Sequence, residues 1–224
     1  VTKDGSFFNS IGAYFGYQRM AHPYYYGWIP ELFITSDEGD AAVVKHYAMG
    51  RAAHEMAYVM PDGKTVYLTD DGKNGGFYLF VADKAGDLSA GHLYAARWEV
   101  ESTEENPGGS APIKWINMGR ADDKEIGDYV AKRPQFSEMF FEPMTPDANN
   151  ECKEEGFVSV NTSTAGQECL KIRAGEEIYA SRLEKRRTAA LKGATTEFNK
   201  EEGISFNPNG NVLYIAMSDI GNGM

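Results

Sequence analysis

Two stretches decide the fold: His54-Glu55-Met56-Ala57-Tyr58-Val59-Met60-Pro61-Asp62-Gly63-Lys64-Thr65-Val66-Tyr67-Leu68, and Glu201-Glu202-Gly203-Ile204-Ser205-Phe206-Asn207-Pro208-Asn209-Gly210-Asn211-Val212-Leu213-Tyr214-Ile215. At an offset of 147 positions, Glu55 falls on Glu202, Pro61 on Pro208, Gly63 on Gly210 and Tyr67 on Tyr214. Asp62 and Asn209, Val66 and Leu213, and Leu68 and Ile215 are conservative matches. Each copy reads as strand, Pro-Asx-Gly turn, strand, because Asp-Gly and Asn-Gly tolerate the positive φ of a tight hairpin. A repeated Glu, strand, hairpin and strand is the signature of β-propeller blades of about 40–50 residues, so the offset corresponds to roughly three blades.

Outward from these hairpins the punctuation remains that of an all-β protein. Gly, Asp, Asn and Pro recur between short runs rich in Val, Ile, Tyr, Phe and Trp. Strands are expected at Gly27–Thr35, Ala41–Met49, Glu55–Met60, Thr65–Thr69, Phe77–Ala82, His92–Glu99, Ile113–Met118, Ile204–Asn207 and Val212–Met217. Only Ser181–Leu191 has the composition of a helix. Residues 101–112 and 146–170 read as loop insertions. The expectation is one partial propeller domain over residues 1–224, supplying three to four blades, with flanking blades outside it.

The 224 residues carry 22 Lys+Arg against 33 Asp+Glu, a net charge of −11. That balance excludes nucleic acid as the main partner, which demands clustered Lys and Arg, and permits bound cations. Hydrophobic residues at 42% suffice for a core. No apolar run approaches the roughly 20 residues of a membrane helix. The chain opens at Val1 without a signal-peptide pattern, which fits a removed leader or a piece of a longer polypeptide.

Cys152 and Cys169 lack zinc spacing. A disulfide between them would stabilise the intervening loop by about 3 kcal/mol, two reduced cysteines being the alternative. Asn161-Thr162-Ser163 is a glycosylation sequon. Together these suit a secreted, periplasmic or cell-surface protein.

In a propeller the innermost strand of each blade lines the central channel, so matched Glu55 and Glu202 would point to its mouth. Carboxylates gathered in a partly buried site need cations, and calcium suits all-oxygen donors. The alternative is a solvated Glu at the start of each strand. Asp70-Asp71 is a second acidic group, with ordinary turn residues as its bland reading, and it does not follow the EF-hand order. Glu197 and Lys200 precede Glu202, and Lys200 is placed to hold an anionic group beside a metal-ligating carboxylate. His54, beside Glu55, reads as a structural hydrogen-bonder. No Gly-x-Ser-x-Gly elbow, catalytic triad order or P-loop is present.

The sequence is similar to the PhoX-type alkaline phosphatases in several ordered strings. These are Ala48-Met49-Gly50-Arg51-Ala52-Ala53-His54-Glu55, then Tyr67-Leu68-Thr69-Asp70-Asp71, then Gly193-Ala194-Thr195-Thr196-Glu197-Phe198 leading into Lys200, Glu202 and Gly203. The resemblance implies a six-bladed propeller, secreted or periplasmic, that hydrolyses phosphate monoesters with calcium and iron in its channel. It implies Glu55 and Glu202 as metal ligands, with Glu197, Asp70 and Asp71 as further candidates, and Lys200 as the basic residue on the phosphoryl group. The family's earlier Cys and paired glutamates, a source of iron ligands, are not matched by Cys152 or Cys169. The expected partners are small phosphorylated substrates and the remaining parts of the same propeller. The rival reading is a non-catalytic, calcium-binding propeller of a cell surface or matrix.

Overall fold

The computed structural model describes residues 6–17, 21–99, 101–103, 106–110, 112–162 and 164–220. Thirteen strands and five α-helices are described. The strands are β1 (Ile29–Ile34), β2 (Ala41–His46), β3 (His54–Val59), β4 (Thr65–Asp70), β5 (Tyr78–Lys84), β6 (Asp87–Trp98), β7 (Glu101–Thr103), β8 (Asn106–Ser110), β9 (Ile113–Asp122), β10 (Val158–Thr162), β11 (Gly166–Leu170), β12 (Phe198–Asn207) and β13 (Val212–Ile220). The helices are α1 (Ser6–Tyr14), α2 (Asp123–Ala131), α3 (Phe136–Met139), α4 (Glu177–Leu183) and α5 (Lys185–Leu191).

The centre is an antiparallel five-stranded meander in the order β3-β4-β5-β6-β9. Side chains alternate between its faces. One face carries Val66, Leu68, Tyr78, Phe80, Leu93 and Met118 into a core shared with Met49 and Ala189 of α5. The other carries Tyr67, Phe77, Ala96 and Trp115 against Phe198 and Ile204 of β12. Hairpins β1–β2, β7–β8, β10–β11 and β12–β13 each form a two-stranded sheet. The mostly-β expectation holds. The described residues form no closed ring of blades.

Three local readings need correction. Residues 101–112 contain the β7–β8 hairpin, and residues 146–170 contain β10 and β11, so neither is only a loop. The expected helix at Ser181–Leu191 is two helices, interrupted at Glu184, whose backbone (φ −122°, ψ 53°) leaves the helical region. The two repeat hairpins lie close together, β12 packing against β3 and β4. The intervening sequence is taken up by β5–β11 and the helical layer α2–α5. Helix α2 escapes sequence reading because it starts straight from β9. Asp122 caps it, accepting the Glu125 N–H at 2.8 Å, and only Ile126 and Val130 are buried.

The two repeat turns differ in chemistry. Gly63 has φ 64° in the first, whereas Asn211, not Gly210, takes the positive φ of 50° in the second. Asp62 organises its turn, Oδ1 accepting the Lys64 and Thr65 N–H groups at 2.9 and 2.8 Å and Oδ2 accepting the Thr65 hydroxyl at 2.7 Å. Among the described residues Asn209 contributes no side-chain bond; its own N–H donates to Asn207 Oδ1 at 3.1 Å. Asp62→Ala is therefore expected to lower stability by about 1–2 kcal/mol, and Asn209→Ala by less than about 0.5, in urea unfolding curves.

Candidate functional site

The internal repeat is a repeat of register. In β3–β4, Val59 faces Val66, Tyr58 faces Tyr67, Ala57 faces Leu68 and His54 faces Asp70. At the same offset, Phe206 faces Leu213, Ser205 faces Tyr214, Ile204 faces Ile215 and Glu201 faces Met217 in β12–β13. Both hairpins carry an irregularity at equivalent places, between His54 and Ala57 and between Glu201 and Gly203. Glu55 and Glu202 thus sit in matching β-bulges, and bulges re-aim side chains.

Both glutamates are exposed, not partly buried as expected. Lys200 lies with them. Its backbone has φ 52°, and its N–H donates to Gly72 O at 3.0 Å. The Gly72–Gly76 turn is held in turn by Asn74, whose N–H donates to Asn199 Oδ1 at 2.9 Å. Lys200 Nζ stands 3.3 Å from Glu202 Oε1. Glu202, then Asp71 and Glu55, raise the lysine's pKa, and of the three only Glu202 stands within ion-pair distance of it among the described residues. Glu197 is half-buried ahead of β12, with no hydrogen bond or ion pair to this patch around Lys200 among the described residues.

Asp70 does not join the patch. It continues the parity of Val66 and Leu68, so β4 carries its side chain toward α5. There it is fully buried, and Arg186 Nε (2.6 Å) and Nη2 donate to its two oxygens. Arg186 Nη2 also donates to Asp71 O at 2.9 Å. Among the described residues no three His, Cys, Asp or Glu side chains are gathered into a cation cage. The donor set of the patch is nonetheless all oxygen and anionic, which fits a hard cation such as calcium. It offers no thiolate for iron, since Cys152 and Cys169 are joined in a disulfide between the 144–157 segment and β11.

Behind the patch lies a buried polar layer that sequence reading missed. Glu201 Oε2 accepts the Asp70 N–H at 2.9 Å, while Oε1 has no partner among the described residues. Burial pushes the Glu201 carboxyl up to about 8. Burial brings the Lys185 ammonium down to about 7; it sits 3.4 Å from His54 Nε2 and 4.2 Å from the Tyr78 ring centre. His54 Nε2 meets Gly50 O at 3.0 Å, and burial holds the imidazole well below its usual pKa. The residues involved lie in Arg182-Leu183-Glu184-Lys185-Arg186-Arg187, a segment whose composition reads only as helical. All but Leu183 and Arg186 among these six have charged groups that α4 and α5 bury, and Arg186 is mostly covered by its ion pair.

The raised Glu201 value has a sign. From its ordinary 4.5 up to about 8 the folded protein keeps a proton that the unfolded chain gives up. The unfolded state then binds fewer protons, so stability falls as pH rises through that window, by at most about 1.4 kcal/mol per unit. Glu201→Gln removes this slope. Its stability relative to the parent should improve by about 2 kcal/mol between pH 5 and 7, measured in urea with a chelator present.

The sequon residue Asn161 is half-buried in β10, where its Oδ1 accepts Asn74 Nδ2 at 3.3 Å. Ser163 lies outside the described residues.

The family model for alkaline phosphatase PhoX matches residues 3–223. Among solved structures, Pseudomonas fluorescens PhoX in complex with vanadate, a transition state analogue, is similar at a TM-score of 0.50 and 22% identity. The alignment covers 86% of this chain and 27% of that one, so this chain spans about a quarter of that protein's length. No curated protein matches the chain.

Proposed function

The chain belongs to the PhoX alkaline phosphatase family, and from that premise we propose that the protein is a metal-dependent phosphate-monoester hydrolase of propeller architecture. The observation that carries the reading is Lys200, 3.3 Å from Glu202 and within the field of Asp71 and Glu55. One cation thus sits beside Glu202 at the bulge of one hairpin, with Glu55 at the equivalent bulge of the other and Asp71 just after β4.

Glu55, Glu202 and Asp71 would hold calcium, with iron ligands supplied by residues other than the two cysteines. Bound metal would polarise phosphoryl oxygens and acidify a bound water. Lys200 has the complementary task. Its left-handed backbone, fixed by the Gly72 carbonyl, presents a flexible ammonium over the patch, where it neutralises a phosphoryl oxygen as charge builds. Glu202 keeps that ammonium protonated and oriented. Asp70 and Arg186 serve as support beneath Asp71. The substrates are small phosphorylated molecules. A formed disulfide suits a secreted or periplasmic location. No described helix is long and apolar enough to cross a membrane, and the remaining parts of the propeller are the partners expected.

A second reading has its own support. The exposed, ungathered state of Glu55 and Glu202 fits a calcium-binding scaffold without turnover. Elemental analysis separates the two: calcium with iron favours the hydrolase, calcium alone the scaffold. For the hydrolase, Glu202→Gln is expected to lower phosphomonoester kcat/KM by about 100-fold and to reduce bound calcium. Unchanged activity and metal content in that variant would refute it.

A further inference from the structure

Helix α1, the turn leading into β3 and the α4–α5 junction enclose a cleft of about 270 Å³. Phe8 and Tyr24 form apolar walls, and Arg51, Lys185 and Arg186 bring three cations to it. Its one carboxylate, Glu184, is already engaged, accepting the Tyr24 hydroxyl at 2.8 Å and Arg187 Nη1 at 3.0 Å.

The cations are less well matched. Arg51 donates Nε to Tyr26 O at 3.1 Å and Nη1 to Leu183 O at 3.0 Å, which leaves Nη2 without an acceptor among the described residues. Arg186 spends Nε and Nη2 on Asp70 and the Asp71 carbonyl, which leaves Nη1 in the same position. Lys185 is 1% exposed. Its contacts are the Met49 carbonyl at 3.5 Å, His54 and the Tyr78 ring, none of them anionic. Among the described residues no carboxylate lies within ion-pair distance of Arg51 or Lys185. Gly50 permits this crowding, since a Cβ there would meet Lys185 Cδ at 2.9 Å.

A buried ammonium with no carboxylate within ion-pair distance is costly, and two guanidinium groups that line one cleft, each with an Nη lacking an acceptor among the described residues, suit an oxyanion. We propose that this cleft is an oxyanion site that binds inorganic phosphate between Arg51 Nη2 and Arg186 Nη1, with Lys185 supplying charge beneath. Arg186 separates it from the Lys200 patch, because its other edge holds Asp70 and the Asp71 carbonyl. Arg186 links the two sites, and phosphate binding in the cleft does not require that the patch be catalytic.

Calorimetric titration with inorganic phosphate, at fixed ionic strength and with a chelator present, tests it. The parent protein should bind one phosphate per chain saturably. Arg51→Gln should weaken binding at least tenfold, and Lys124→Ala, on the exposed face of α2, should leave it within twofold. Because Arg51 also holds two carbonyls, Ala52→Glu provides a second variant, placing a carboxylate at the cleft as an internal counter-ion. It should abolish phosphate binding without lowering the urea midpoint. Absence of saturable binding in the parent, undiminished affinity in both cleft variants, or loss of binding in Lys124→Ala would each overturn the proposal.

Discussion

Replacing Arg182 by leucine destabilises the protein by at least about 4 kcal/mol, a large share of the 5–15 kcal/mol that holds a typical domain together. Arg182 is fully buried, and its guanidinium is a hub of the chain. Nε donates to Ala48 O at 2.7 Å, Nη1 to Met118 O at 3.1 Å and to Ser181 Oγ at 2.6 Å, and Nη2 to Gly119 O at 2.7 Å. Three carbonyls from two separate segments therefore rely on one side chain. Leucine fills much of the space but donates nothing, and each buried carbonyl left unpaired costs about 1–3 kcal/mol. Burial alone drives the guanidinium down to about 9, so the charge itself is poorly compensated and the stabilisation resides in the hydrogen bonds. Arg182→Lys should recover only part of the loss, because an ammonium cannot span the fork. Urea midpoints of the three proteins check this, and a leucine variant within about 1.5 kcal/mol of the parent would contradict it.

The hairpins were legible because their determinants are local. Pro61-Asp62-Gly63 and Pro208-Asn209-Gly210 dictate turns, and alternation dictates the flanking strands. The repeat was legible for the same reason, and the structure extends it to a shared register and a shared bulge. What alternation could not supply is the consequence of those bulges. Strict period-two reasoning sends Glu55 and Glu202 inward as a partly buried pair. The irregularities instead leave both exposed and turn their neighbours, His54 and Glu201, toward Lys185 and Asp70. The α4–α5 segment shows the same limit. Its composition shows four cations but not their partners: Asp70, Glu168 and Glu184 are brought against Arg186 and Arg187 only by the fold, and Arg182 reaches backbone carbonyls instead. Residues such as Ile126 and Val130 give α2 too narrow an apolar stripe to stand out next to β9.

Asp70 and Asp71, adjacent and chemically identical, should separate in experiment. Asp70 is sealed from solvent, and its two oxygens face Arg186. Its N–H secures Glu201. Asp70→Asn keeps the shape but leaves the Arg186 guanidinium, itself largely buried, without its counter-ion. Breaking a buried pair from one side costs about 3–5 kcal/mol, much of it the stranded charge. Removing both partners in Asp70→Asn with Arg186→Met should therefore be less damaging than the two single losses added together, a coupling that a double-mutant cycle measures directly. Asp71, half-buried and within the field of Lys200, has the opposite profile. Asp71→Asn should change stability by less than about 1 kcal/mol and lower bound calcium and phosphomonoester turnover. If Asp70→Asn instead left the urea midpoint in place while stripping calcium, the carboxylate would be a metal ligand, and its pairing with Arg186 would not be what holds the end of β4 against α5.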